Sequence, residues 1–339
     1  MIASAPPHAS AAIVNGQVLQ DAPALREKLL AELRKRIVGQ EAVLRDLFIC
    51  LLAQGHALMI GVPGLAKTLI VKTLAEAVDL DFRRIQFTPD LMPSDITGSE
   101  IVEESDNGQR GFRFIAGPVF TQLLLADEIN RAPAKTQSAL LEAMQERRVT
   151  ISGQSRDLPA PFFVLATQNP IEQEGTYPLP EAQLDRFLCC LQVGYPSAAE
   201  ESHILHETTG DELGAVNKVC SAAQLISLQR AVRHVHLPAS ASEFAVRLVR
   251  STRPQAPEST ALVRRCVQWG AGPRASQALV LGAKALAALD GRLNCSSEDV
   301  AAVAHIALRH RLILNYRAEA ESLTADSIID ELLKANSRR

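Results

Sequence analysis

Three features of this 339-residue chain predict an α/β fold: a parallel five-stranded sheet with helices on both faces and β-hairpin inserts, followed by a smaller all-α lid domain. The first is Gly61-Val62-Pro63-Gly64-Leu65-Ala66-Lys67-Thr68, set between apolar Ala57-Leu58-Met59-Ile60 and a helix-like stretch from Leu69 to Ala77. The second is Gln122 to Glu128, an apolar run that ends in the acids Asp127 and Glu128. The third is a change of period. Strand-like runs near 56–60, 82–87, 121–126, 162–167 and 187–193 give way after Pro196 to helical spacing that continues to Arg339. Strands that alternate with helices argue for a parallel sheet, and a switch to one period marks a domain boundary.

Taken in order, residues 1–22 mix Ala, Ser, Pro and Gly without periodicity and predict a loose arm. Residues 23–195 are then expected to form the α/β domain and 196–339 the all-α lid. Helices are expected near 23–36 and 40–54, bracketing Ile37-Val38-Gly39-Gln40, where Gly39 and Gln40 break an amphipathic pattern and leave a turn beside the glycine-bearing loop. Two hairpins interrupt the alternation. One turns around Asp106-Asn107-Gly108 between Glu100–Glu103 and Gly111–Ile115, the other around Ser152-Gly153-Gln154 between Arg148–Ile151 and Arg156–Leu158. Beyond Pro196, helical stretches are expected near 197–208, 221–234, 239–252, 274–289, 297–313 and 324–335, with Pro-, Gly- and Ser-rich loops at 252–259 and 269–274.

The loop's residue types match phosphate chemistry. Gly61 and Gly64 permit backbone angles and a close approach that a Cβ hinders, so successive N–H groups and the next helix's N-terminus, starting near Leu69, can point at one anion. Lys67 would then meet the β- and γ-phosphates of ATP, and Thr68 would offer its hydroxyl to Mg²⁺. Ala66 stands where a second glycine is usual. Helical angles there would make the alanine harmless, and that is the expectation.

The acidic run supplies what a phosphate loop alone lacks. Its apolar residues read as a buried parallel strand that delivers Asp127 and Glu128 to the carboxyl end of the sheet, where ligands bind in such folds. Asp127 is the candidate Mg²⁺ ligand and Glu128 the candidate for orienting and polarising water.

Composition narrows the partners. A formal charge of −3 gives no global reason to bind nucleic acid, and 47% hydrophobic residues support real cores. No apolar run reaches the roughly 18 residues of a membrane span, and Met1 to Ala12 lacks a signal peptide's basic start and apolar core, so a cytoplasmic protein with no membrane partner is expected. The six cysteines show no metal-ligand spacing and read as small buried hydrophobes; Cys189 and Cys190, adjacent on a strand, should face opposite ways.

Together these motifs resemble the AAA+ ATPases, a class of P-loop NTPases, and within them the MoxR family, from about residue 25 onward. The loop at 61–68 is similar to that family's phosphate loop, Ala66 included. So are Ala126 to Met144, Ala166-Thr167-Gln168-Asn169-Pro170, Glu181 to Phe187, and Leu308-Arg309-His310-Arg311-Leu312. The resemblance implies that Asn169 is the polar sensor holding the attacking water or γ-phosphate. It implies that Arg186 is an arginine finger reaching the neighbouring subunit's site, and that Arg274 is a second sensor on the lid. Val38, Gly39 and Gln40 match the segment packed by the adenine. The hairpins match inserts that project toward a ring's pore or face. The family further implies a homo-hexamer that hydrolyses ATP to mature or activate protein clients, often partners with a von Willebrand factor A domain. A DNA or RNA translocase remains the alternative, with Arg110, Arg113, Arg147, Arg148 and Arg156 as a basic pore, as does a nucleotide-gated scaffold with little hydrolysis.

Overall fold

Four short, mostly apolar segments and one polar edge strand build the central sheet of the computed structural model, which describes residues 7–104, 110–171, 175–208 and 214–337. In chain order the strands are β1 (Ala57–Ile60), β2 (Phe82–Gln86), β3 (Gly98–Glu104), β4 (Arg110–Ala116), β5 (Leu123–Asp127), β6 (Arg148–Ile151), β7 (Gln154–Asp157), β8 (Phe163–Gln168) and β9 (Cys189–Gln192). The sheet runs β2-β5-β8-β1-β9. All four pairings are parallel. Alternation along these strands divides the core by parity. Ala57, Met59, Leu123, Leu125, Phe163, Leu165, Cys189 and Leu191 belong to one buried cluster. Leu58, Leu124, Ala126, Val164, Ala166 and Cys190 belong to the other. The six cysteines are free and buried, and the adjacent pair faces opposite sides of the sheet, as its strand position requires.

Helices α1 (Pro7–Leu33), α2 (Glu41–Leu52) and α3 (Lys67–Ala77) cover the first face, and α5 (Ala134–Glu146) the second, while the short α4 (Pro93–Thr97) leads into β3. The expected loose arm is corrected here: residues 7–22 are helical and continue through Pro23 without a break. Leu19 and Ala22 are buried in the larger core, so tertiary packing against the helix Ala222–His234 outweighs a composition that locally suggests no structure.

Both hairpins form, β3 with β4 and β6 with β7, each antiparallel. The turn residues Asp106-Asn107-Gly108 lie outside the described residues. At the second hairpin Ser152 and Gly153 both have positive φ, 50° and 79°, the handedness that matches strand twist. The two hairpins touch through Arg156, whose guanidinium lies 4.1 Å over the Phe114 ring and 3.7 Å from Glu100.

From Ala198 onward helices dominate, but the expectation of helices alone needs amending. A small antiparallel ladder joins Val267–Trp269 to Ile313–Leu314. Short helices at Ala261–Cys266 and Tyr316–Ala320 fall where no element was expected. The predicted helix 297–313 divides into Ser297–Ala302, Ala304–Leu308 and a tight turn Arg309–Arg311, because the side chains of that turn reach across to the sheet.

Candidate functional site

The carboxyl ends of β5, β8 and β1 are neighbours in the sheet, and each ends in residues singled out by the sequence. β1 runs into the loop Gly61–Thr68, β5 ends at Asp127, and Asn169 follows β8. Gly61 donates its N–H to the Gln168 carbonyl, tying the loop to β8. A Cβ at Gly61 would lie 2.9 Å from the Val193 carbonyl oxygen, so glycine is required there by close backbone approach. Gly64 has φ +84° and open space around it, so glycine is required there by conformation. Lys67, first residue of α3, folds back to donate to the Gly61 carbonyl and so lies over the loop, with Thr68 beside it half-buried.

Ala66 corrects the sequence reading. It has φ 53° and ψ 19°, left-handed rather than helical, and it is exposed. A left-handed alanine costs roughly 1–2 kcal/mol. The loop holds it at the residue that aims the first N–H groups of α3.

The acids are gripped by residues that spacing did not reveal. Asp127 is 8% exposed. Its Oδ1 accepts from the Thr167 hydroxyl at 2.6 Å, and its Oδ2 from Arg84 Nη2 at 2.7 Å and Nε at 3.1 Å. Glu128 is left-handed at φ 57° and donates its backbone N–H to Thr167 Oγ1 at 2.8 Å. Its carboxylate accepts from Gln86 at 2.6 Å and Arg131 at 2.8 Å. Asn169 is 4% exposed, and its Oδ1 accepts from the Ile171 N–H, which orients the side chain within a turn. Thr167 and Arg131 had a signal, their places in the runs Ala166–Pro170 and Ala126–Met144. Arg84, Gln86 and Arg131 act across strands or from the following turn.

A second group forms a cavity of about 110 Å³ beside the loop. Val38, Gln40, Gly64, Leu65, Ala66 and Leu69 line it together with Arg36, Ile37, Pro196 and Ile204. Gly39 and Gln40 are both left-handed, φ 67° and 58°, and the Gln40 amide donates to the Gly194 carbonyl, which fixes the turn that shapes this cavity. Val62 and Pro63 lie on the loop outside it, Pro63 exposed.

Arg186 is not brought to this chain's own loop. It donates to the Leu141 carbonyl at 3.0 Å and lines a separate cavity of about 410 Å³ with Ser138, Leu141, Glu142, Gln145, Glu146 and Gln183. Arg274 stands in the first turn of the helix Pro273–Leu289, half exposed, with Nη1 3.9 Å from Asp185 Oδ2.

The donor set suits a nucleotide and a hard cation: a glycine loop at a helix N-terminus, one ammonium, one hydroxyl and one buried carboxylate. Among the described residues no three His, Cys, Asp or Glu side chains gather as a metal cage. Mg²⁺ at Asp127 and Thr68 would therefore depend on phosphate and water for its remaining ligands, as that ion ordinarily does.

A parallel sheet with these motifs at its carboxyl edge and a helical lid after it defines an AAA+ ATPase. A family model described as "ATPase family associated with various cellular activities (AAA)" matches residues 56–189, and one described as "AAA lid domain" matches 259–332. The chain is 44% identical over 310 residues to Chaperone MoxR1 of Mycobacterium tuberculosis, covering 91% of this chain and 81% of that protein. It is 42% identical to the uncharacterized protein YeaC of Bacillus subtilis, covering 93% and 95%, and 31% identical to Protein MoxR of Paracoccus denitrificans, covering 86% and 90%. A provisionally designated ATPase from Cytophaga hutchinsonii, solved as a crystal structure, superposes with a TM-score of 0.86 at 41% identity, covering 94% of this chain and 96% of that one. The chain belongs to the MoxR family of AAA+ ATPases.

Proposed function

We propose that this chain hydrolyses ATP to ADP and phosphate in a ring of like subunits, a homo-hexamer, and uses the turnover to remodel partner proteins. One observation carries the reading. Lys67, Thr68, Asp127, Glu128 and Asn169 converge at one sheet edge, while Arg186 lines a cavity shared with none of them. A single subunit then holds nearly all of a phosphoryl-transfer site and lacks the external cation, which a neighbour would supply. Arginine fingers of this kind are worth roughly 10³–10⁵ in rate.

Within the subunit the loop N–H groups and Lys67 cradle the phosphates, and Thr68 and Asp127 hold Mg²⁺. The ion supplies charge neutralisation at the phosphate oxygens. Glu128 polarises the attacking water once its carboxylate exchanges Gln86 and Arg131 for that water, and Asn169 positions water or γ-phosphate from the adjacent strand end. Arg274 reports the nucleotide to the lid. The cavity at Val38, Gln40 and Leu69, shaped by the turn at Gly39, takes the base.

Protein rather than nucleic acid is the favoured client. Of the hairpin cations a translocase would need, Arg110 pairs with Glu104, Arg113 with Glu103, Arg148 with Glu146 and Arg156 with Glu100. Cations already matched by carboxylates make a poor phosphate track. The chaperone designation of the Mycobacterium tuberculosis relative points the same way, and a von Willebrand factor A domain protein is the partner class the family implies. No described helix is long and apolar enough to cross a membrane, and we place the protein in the cytoplasm.

Subunit mixing tests the shared site. Arg186→Ala and Lys67→Ala proteins, each inactive alone, should recover phosphate release when combined, because the first keeps an intact loop and the second an intact finger. A mixture as inactive as its components refutes the shared site. Recovery of a discrete protein with Glu128→Gln rings and ATP, lost with ADP, tests the remodelling; retention of DNA or RNA instead would favour the translocase.

A further inference from the structure

The turn Arg309–Arg311 at the end of the lid's broken helix spends its side chains on a six-residue stretch of the α/β domain. The Arg311 side chain is 3% exposed, and its guanidinium uses all five N–H groups. Nε donates to Asp185 Oδ1 at 2.7 Å, and Nη2 to the Asp185 and Phe187 carbonyls at 3.2 and 2.7 Å. Nη1 donates to the Leu188 carbonyl at 3.3 Å and to the Ala307 carbonyl. His310 Nε2 reaches the Phe187 carbonyl at 3.1 Å, and Arg309, itself paired with Asp326, donates to the Cys190 carbonyl at 3.0 Å. Arg186 lies inside this clamped stretch, its neighbours on both sides fixed by the lid. The second oxygen of Asp185 faces Arg274, 3.9 Å away.

From this geometry we propose that Arg311, acting through Asp185, is the positioning residue for Arg186, and that Asp185 links the aim of Arg186 to the Arg274 of the same lid. The inference rests on reading Arg186 as a finger for the neighbouring subunit. The direction of a long side chain is set by the backbone beneath it, and pinning the carbonyls of residues 185, 187 and 188 removes the freedom that would let it wander. Displacing a reacting group by about 1 Å can cost about 10²-fold in rate. A buried five-donor fork cannot be matched by an ammonium, which has three donors and no fixed plane. Arg274 cannot approach a phosphate and stay beside Asp185 equally well. A change at this chain's own nucleotide is thereby felt at the finger offered to the next.

Arg311→Lys and Asp185→Asn test the idea, the second being isosteric, so that it reports even where the buried lysine unfolds the chain. Rings of either variant should bind a fluorescent ATP analogue at their own sites within about twofold of the parent, and should hydrolyse ATP about 10²-fold more slowly. Mixing with Lys67→Ala subunits, which contribute an intact finger, should restore activity. Mixing with Arg186→Ala subunits should not. A folded Asp185→Asn that hydrolyses ATP like the parent, loses its own-site affinity, or stays inactive beside Lys67→Ala overturns the proposal. Arg186→Ala is the internal control. If it is not restored by Lys67→Ala, the shared-site reading fails; if it is restored and Asp185→Asn is not, only the positioning role fails.

Discussion

Replacing Ala66 by glycine should stabilise this protein, although the same exchange in an ordinary helix would weaken it. Ala66 sits at φ 53° and ψ 19° immediately before α3, with its methyl exposed, so removing the methyl empties no packed space. Relief of a left-handed alanine is worth roughly 1–2 kcal/mol. The added freedom of glycine in the unfolded chain returns about 0.4–1 kcal/mol of that. A net gain of about 0.8 kcal/mol is expected, against a loss of about 1 kcal/mol if the residue were helical. The two alternatives thus differ in sign. Urea unfolding followed by circular dichroism reads it directly as a higher midpoint at unchanged slope. Gly64→Ala, at φ +84°, is the converse control and should lower the midpoint. A lowered midpoint for Ala66→Gly at unchanged slope would refute the left-handed assignment and restore the helical one.

Lys67→Ala should abolish binding of a fluorescent ATP analogue, whereas Glu128→Gln should bind it normally and turn over slowly; an affinity left intact by the first or parental turnover by the second removes the assigned role. Arg84→Ala should lower the Mg²⁺ concentration for half-maximal hydrolysis by up to about fivefold, the equivalent of losing a half-exposed competing ion pair of about 1 kcal/mol, and an unchanged Mg²⁺ titration would count against competition at Asp127. Burial of His56, whose Nδ1 accepts from the Val164 N–H while Nε2 meets the Met144 carbonyl, lowers its pKa to about 4. The unfolded chain therefore takes up a proton that the native state refuses. Stability is intact above about pH 6.5 and falls towards pH 4, by about 3 kcal/mol at most, with His310 shifted in the same direction by burial. His56→Gln should flatten that slope in unfolding measured between pH 7.5 and 5, and an identical slope would exclude the linkage. Residues 196–339 expressed alone should show no cooperative thermal transition, since their core continues into the α/β domain; a sharp transition would show an autonomous lid.

What could be read from the sequence is what lies close together in it. Gly61 to Thr68 announces itself because eight consecutive residues carry the chemistry, and Asp127-Glu128 because an apolar strand ends there. The grip that β2 takes on those acids was invisible. Arg84 and Gln86 reach Asp127 and Glu128 only once β2 pairs with β5, and Arg311 meets Asp185 from 126 residues away. Composition misled at residues 7–22, where alanine and proline suggest a loose arm but Leu19 and Ala22 find a partner helix. Residue type misled at Ala66, since helix propensity describes an average conformation and the phosphate loop imposes a particular one.

The change of period at Pro196 marks a boundary in topology and not in packing. The odd-numbered face of β1, β5, β8 and β9 shares one buried cluster with α1, α2 and α3, and that cluster continues through Leu248, Leu279 and Ile328 of the lid. A close-packed interior does not part without exposing apolar surface, at about 25 cal/mol for each Å². Lid movement on this scaffold is then a small slide of packed helices, with discrete positions. Such a slide reaches two places at once: Arg274 in the first turn of its helix, and Asp185 to Cys190, where the lid holds the backbone on either side of Arg186. The α3 helix that presents Lys67 rests on the same cluster through Ile70, Val71 and Leu74. The helix behind the phosphate loop and the lid thereby rest on one core, and the lid grips the backbone beside Arg186, which is the mechanical condition that the proposed ring requires if each subunit's nucleotide state is to reach the next.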